Sequence, residues 1–445
     1  MKLHHMLATT ALCATLASPA VAQAWSLEEA AAPYAGTTVD VVFLLRPGYD
    51  AIEAMLPAFE DATGIDINII RHPYENALGE QVRDFVAGGD LDIALIDLVW
   101  IGNFAENEWI VPVDQIMADY PDIIDPELNI DDFFPLVLNA FGGWNDTIYG
   151  LPFDNYSGLM FYNRCMLEEA GFDGPPETWQ QLMDEYGPAL TTGDQYAYAL
   201  QSKRNETQSA DSFARMLWPF GGSFLDADFR SNLLSEESQA GLNFRQELMQ
   251  YMPDGIVAFD HAETVNAFAQ GEVAMITEWS AFYSTVVDPD TSRVADCVEI
   301  APEPTGPAGR KPALGGFSLA VASQADDDEK AAAWLFIQWA TSAANAVEYL
   351  ERGGVPARQS AYADPALAET YTFIPALVES WQEGVPEFRP RFAEWPEISE
   401  VVQEWGTRMM LGEVTVEEGA AEIGTRMEDI LESAGYYSGD KPLAQ

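Results

Sequence analysis

Val39–Leu45 reads VDVVFLL, Ile65–Ile70 reads IDINII and Leu91–Ile96 reads LDIALI, and these three short apolar runs decide the fold class. Each is too short for a helix and has the continuous hydrophobicity of a strand buried on both faces. Between them lie helical patterns: Ile52, Met55, Leu56 and Phe59 at helical spacing, closed by Thr63-Gly64, and a second helix over Glu75–Ala87. Strand and helix in alternation predict an α/β protein with a parallel, doubly wound sheet. In such a sheet ligands sit beyond the strand C-termini, where loops meet helix N-termini. That logic puts Tyr49, Asp50, Asp97 and Trp100 on the functional rim.

The rest of the chain fits this frame. Its 445 residues exceed what one core usually supports, so two lobes are expected. With 48% hydrophobic residues, 12 Trp and 23 Phe, enough apolar surface exists to offset chain entropy despite a formal charge of −51. The balance of 21 Lys+Arg against 72 Asp+Glu excludes a phosphate-facing surface, so no nucleic-acid partner and no anionic membrane surface is expected. Residues 1–24 carry Lys2, an apolar stretch from Met6 to Ala17, and Ala22-Gln23-Ala24, the pattern of a cleaved export signal, which predicts an exported, periplasmic protein. Beyond it no stretch is long and apolar enough to span a bilayer, so no direct membrane insertion is expected. After cleavage 20 cations face 72 acids, and Cys165 and Cys297 remain, free to pair in an oxidising compartment or to stay as buried thiols. His72 and His261 are too few for a histidine-based zinc site, and no cofactor is expected.

Helix boundaries are written locally. Thr178-x-x-Gln181 and Thr415-x-x-Glu418 have capping-box spacing. Asp326–Glu329 leads into Lys330–Ala343, whose crowded Trp334, Leu335, Phe336, Ile337 and Trp339 predict a helix buried between layers. Pro302–Pro312 reads as a surface turn before a strand-like run at Phe317–Val321.

Six stretches line up with one pattern: Phe59-Glu60-x-x-Thr63-Gly64-Ile65 with Asp92–Asp114, then Tyr149–Asp184, Phe268–Trp279, Gly315–Trp339, and Gly354-Val355-Pro356-x-Arg358. Their order and spacing resemble the extracellular solute-binding proteins of ABC importers that include the maltose-binding proteins, over nearly the whole mature chain. The resemblance implies a two-lobed periplasmic-binding-protein fold (type II) with the ligand in the cleft, hinge closure, and a monomer that presents a sugar, oligosaccharide or sugar alcohol to the transmembrane subunits of an ABC permease. It places the first crossing near Leu151–Asn155 and a return near Val298–Pro302. The implied lobes are residues 25–152 plus 300–350 and 153–299 plus 351–435, with 436–445 as a tail.

Carbohydrate sites need flat apolar faces against the sugar C–H surface and planar polar groups against its hydroxyls. By similarity Trp279 is a candidate stacker against the alternative of a core Trp, and Trp218 and Phe220 are candidate aromatic subsites, although Gly221-Gly222 equally marks a helix end. Trp100 is a further candidate ring. Asp97 and Asp154, the latter beside Asn155, are candidate hydroxyl acceptors, with helix capping as the competing role; the same alternative weighs more heavily on Asp50. Gly316, beside Phe317, resembles the family's segment entering a rim strand, where backbone N–H groups approach ligand, or is a simple bulge. Arg391 is a candidate fork for a hydroxyl pair or carboxylate, or a surface ion pair.

Other functions fit less well. Gly316-Phe317-Ser318-Leu319-Ala320 is a near miss to a nucleophile elbow without a suitable histidine. A glycan-processing enzyme needs only two carboxylates, so counting acids does not exclude it. A binding protein for a cationic ligand such as a polyamine or betaine is the other alternative, favoured by the acidic balance and the supply of rings.

Overall fold

The computed structural model describes residues 25–439 and 441; the export-signal reading of residues 1–24 and most of the tail beyond 439 lie outside the described residues. Among the described residues ten strands form: β1 (Thr38–Leu44), β2 (Asp66–His72), β3 (Ile93–Asp97), β4 (Gly143–Trp144), β5 (Thr147–Ile148), β6 (Leu151–Asn163), β7 (Tyr196–Leu200), β8 (Val273–Trp279), β9 (Val298–Pro302) and β10 (Leu314–Val321). The three runs that opened the sequence reading are β1, β2 and β3, and they lie in the order β2-β1-β3, parallel throughout. The parallel arrangement stops there. β10 runs antiparallel to β3 and β6, and β6 antiparallel to β8 and β9; only β7 and β8 are again parallel. The doubly wound expectation therefore holds for the opening unit, where helices return each strand to the same end, and fails where the chain crosses directly from one half to the other.

β6 is that crossing. Its 13 residues are all buried, and its first part (Leu151–Ser157) pairs with β10 while Gly158–Tyr162 pair with β8. One strand thus belongs to both halves of the molecule, β1-β2-β3 on one side and β7-β8-β9 on the other. β10 shifts register between Phe317 and Ser318, next to Gly316 at φ +124°. A Cβ there would collide with the carbonyl of Asp154, so the close approach of β10 to β6 requires glycine.

Local signals set most boundaries. Thr178 with Gln181 and Thr415 with Glu418 form complete capping boxes. The buried helix starts three residues before the expected point, at Asp327, because Asp326 accepts from the Asp328 and Glu329 amides and Glu329 reaches back to the Asp326 N–H. The first long helix likewise starts early: Pro47, with its φ preset, occupies the first turn, so Pro47–Thr63 takes in what reads as a loop. Cys165 and Cys297 are disulfide-bonded, with Cα atoms 5.6 Å apart, tying the helix after β6 to the entry of β9. Among the described residues no helix is long and apolar enough to cross a membrane.

Candidate functional site

At the C-terminal end of β3 the Asp97 carboxylate is buried. It accepts from the Tyr74 hydroxyl at 2.7 Å and from Arg389 Nη2 at 3.2 and 3.4 Å. Tyr74 opens the helix after β2, so both groups come from the rim of the parallel unit. Arg389 Nη1 donates at 2.9 Å to Glu206 Oε1, which also accepts from Trp395 Nε1 at 3.1 Å; its other oxygen accepts from the Ser399 hydroxyl. Glu206 opens the turn Glu206–Ala210 beyond β7, and helix Trp395–Met410 packs on that turn. An acid–base–acid chain therefore spans the two halves: Asp97 from one, Glu206 from the other, with Arg389 between.

The charges explain one another. Burial pulls the Arg389 pKa down, but Asp97, Tyr74 and Glu206 more than offset this and hold it well above the ordinary value. Burial raises the Glu206 pKa, opposed by Arg389. Burial and then Asp97 push the Tyr74 phenol well up, so it remains a donor.

Beside this chain lies a cavity of about 350 Å³. Tyr74 and Trp100, ring centroids 5.4 Å apart and 26° from coplanar, form an aromatic wall, and Trp395 contributes a third ring. Asn205, Glu206, Ser399 and Gln403 bring amide, carboxylate and hydroxyl groups to the same space. Flat rings facing mixed donors and acceptors suit a small molecule with C–H faces and hydroxyl edges.

The sequence-nominated residues are scattered over several places. Trp100 lines this cavity, with Phe317 packed at 6.1 Å from Trp100 and 6.2 Å from Tyr74, and Asp97 is buried one hydrogen bond behind the Tyr74 wall. Asp154, Asn155 and Gly316 sit where β6 and β10 cross: Asp154 accepts from the Val355 N–H at 2.9 Å and from the Tyr156 hydroxyl, and Asn155 Nδ2 donates to the Phe317 carbonyl at 3.3 Å. Tyr49 is buried in the adjoining cluster, 5.1 Å from Phe43 and 6.1 Å from Phe317. Trp279 is buried with its ring against Gly315 and 5.4 Å from the Arg215 guanidinium. Trp218 and Arg391 line a second cavity of about 400 Å³, with Trp144, Phe224, Phe229 and Glu387. Phe220 packs on Phe244, and Asp50 is on the surface, paired with Arg71 at 3.0 Å.

Tyr74, Glu206, Arg389 and Trp395 were not nominated. Tyr74 and Glu206 follow strands just as Asp97 does, so the rim argument applied to β2 and β7 finds them. Arg389 carries the same signal as Arg391, a scarce cation beside a proline, but sequence does not say which of the two meets a carboxylate.

The profile of the bacterial extracellular solute-binding proteins matches residues 45–347, most of the chain. The chain belongs to this family. A probable amino-acid ABC transporter periplasmic-binding protein of Sinorhizobium fredii is 25% identical over 413 residues, 91% of each chain. The mannitol-binding protein of Pseudomonas aeruginosa is 27% identical over 383 residues, covering 83% of this chain and 82% of its own. Among solved structures, an ABC transporter solute-binding protein of Agrobacterium radiobacter in complex with ribitol superposes with a TM-score of 0.80 at 25% identity, covering 89% of this chain and 99% of that one. The fold is thus the two-lobed α/β fold of these solute-binding proteins, and the role is that of an ABC-transporter solute-binding protein.

Proposed function

We propose that this solute-binding protein is exported to the periplasm, captures a small neutral polyhydroxylated solute, a sugar or sugar alcohol, between its halves, and hands it unchanged to a membrane permease. The supporting observation is the Asp97–Arg389–Glu206 chain spanning the halves beside the Tyr74–Trp100 wall. In this reading Tyr74 and Trp100 cover the C–H face of the ligand, Asp97 and Glu206 accept from its hydroxyls, and Arg389 donates. A polyol supplies both donors and acceptors and adds no charge to the ion chain. A cationic ligand would face Arg389, and a free carboxylate would compete with two resident carboxylates for one guanidinium. The ribitol and mannitol recognition of the relatives agrees with this chemistry.

Closure makes binding a signal only if the ligand prefers the closed form. The test is a thermal-shift panel of D-mannitol, ribitol, maltose, amino acids and polyamines, followed by calorimetric titration. A ligand at 100 times its Kd stabilises by about 2.7 kcal/mol. Stabilisation by a polyol or sugar is expected; stabilisation only by an amino acid or amine would replace the proposal, as would cleavage of a chromogenic glycoside.

A further inference from the structure

Segment Glu387–Phe392 lines the second cavity, and its contacts divide between the halves. Toward the β7-β8-β9 side, Trp218 Nε1 donates to the Phe388 carbonyl at 3.0 Å and the Phe392 ring lies 5.8 Å from Phe229. Toward the β1-β2-β3 side it offers two cations, Arg389, already paired with Asp97, and Arg391. Arg391 Nη1 donates to the carbonyls of Asn139 at 2.8 Å and Gly143 at 2.9 Å, with Ala140 at 3.4 Å, and its own carbonyl accepts from the Gly102 N–H at 3.1 Å. These carbonyls lie in and just beyond the turn Leu138–Gly142, where the Gly143 N–H also donates to the Asn139 carbonyl. Gly102 completes the seat, because a Cβ there would collide with the Arg391 carbonyl oxygen. Lys441 adds a parallel tie, reaching Glu106 at 2.7 Å and Glu394 at 2.6 Å.

We infer that Arg391 is a positioning residue whose contact with the Asn139–Gly143 carbonyls and Gly102 holds the closed form, apart from the ligand's own contacts. The inference rests on hinge closure in the proposed function. A guanidinium suits this work: it is planar, permanently charged, and able to serve several acceptors at once. In an open form water would serve these carbonyls and the guanidinium, so their contribution falls on the equilibrium between forms.

The test compares wild type, Arg391→Ala, Arg391→Lys and Gly102→Ala by small-angle scattering and calorimetric titration, with D-mannitol and ribitol as probes. In whichever condition the wild type is compact, Arg391→Ala is expected to be expanded, or to need about tenfold more probe to become compact, with cooperative unfolding retained. Arg391→Lys, which keeps a donor for two of the carbonyls, should recover part of the loss. Gly102→Ala should act in the same direction as Arg391→Ala and decides the matter if that variant does not fold. Wild-type compaction and affinity in both alanine variants would overturn the inference, as would a wild type expanded in every condition. A compact wild type that binds no polyol would defeat the proposed ligand class while leaving the scattering comparison to judge Arg391.

Discussion

Asp154 gives the sharpest quantitative test of the crossing region. Its side chain is 1% exposed. Burial raises its pKa from 3.8 to about 6, against the opposing pull of the Tyr156 hydroxyl, the Val355 N–H and Arg46. A carboxyl whose pKa is higher folded than unfolded binds its proton more tightly in the folded chain. Its contribution to stability is therefore present below pH 3.8 and is lost as pH rises from there through about 6. The full loss is about 3 kcal/mol, of which about 2 falls between pH 4 and pH 8. Asp154→Asn removes the titration while keeping an oxygen for Val355 and a partner for Tyr156. Urea unfolding of both proteins at unit steps from pH 4 to pH 8 gives a difference in which the surface acids common to both cancel. Relative to wild type, the variant should gain about 2 kcal/mol on going from pH 4 to pH 8. A difference flat with pH, or one of opposite sign, would refute the view that burial dominates the Asp154 environment.

Three other outcomes follow from the site. Arg389→Met leaves Asp97 and Glu206 without their shared cation, which costs about 3–5 kcal/mol in a closed site, so polyol affinity should fall more than a hundredfold by calorimetry; a change within threefold would remove Arg389 from the cleft chemistry. Tyr74→Phe deletes one donor to the buried Asp97, a bond within one half of the molecule, and should lower the unfolding stability of the empty protein by about 1 kcal/mol in a denaturant titration. Reducing Cys165–Cys297, or replacing both with Ser, frees a loop spanning 132 positions and should lower unfolding stability by about 5 kcal/mol, read by denaturant titration with and without reductant.

The amino-acid sequence by itself determined the elements whose cause is local. Apolar runs wrote β1, β2 and β3, and a carboxylate or hydroxyl three residues before its Glu or Gln partner wrote the helix starts at Thr178, Asp326 and Thr415. Asp97 and Trp100 were legible for the same reason, since the end of a parallel strand is a position defined by its own neighbours in the chain. Only the tertiary structure decided where the parallel order ends, because β6 and β10 pair across more than 150 residues and hydrophobicity carries no strand direction. It alone paired Cys165 with Cys297, and it alone joined Asp97, Glu206 and Arg389, three charges from distant parts of the chain. A charged side chain reads the same in sequence whether water or a counter-ion surrounds it. Long-range packing chooses between those surroundings, sending Asp50 to solvent and bringing Asp97 to Arg389.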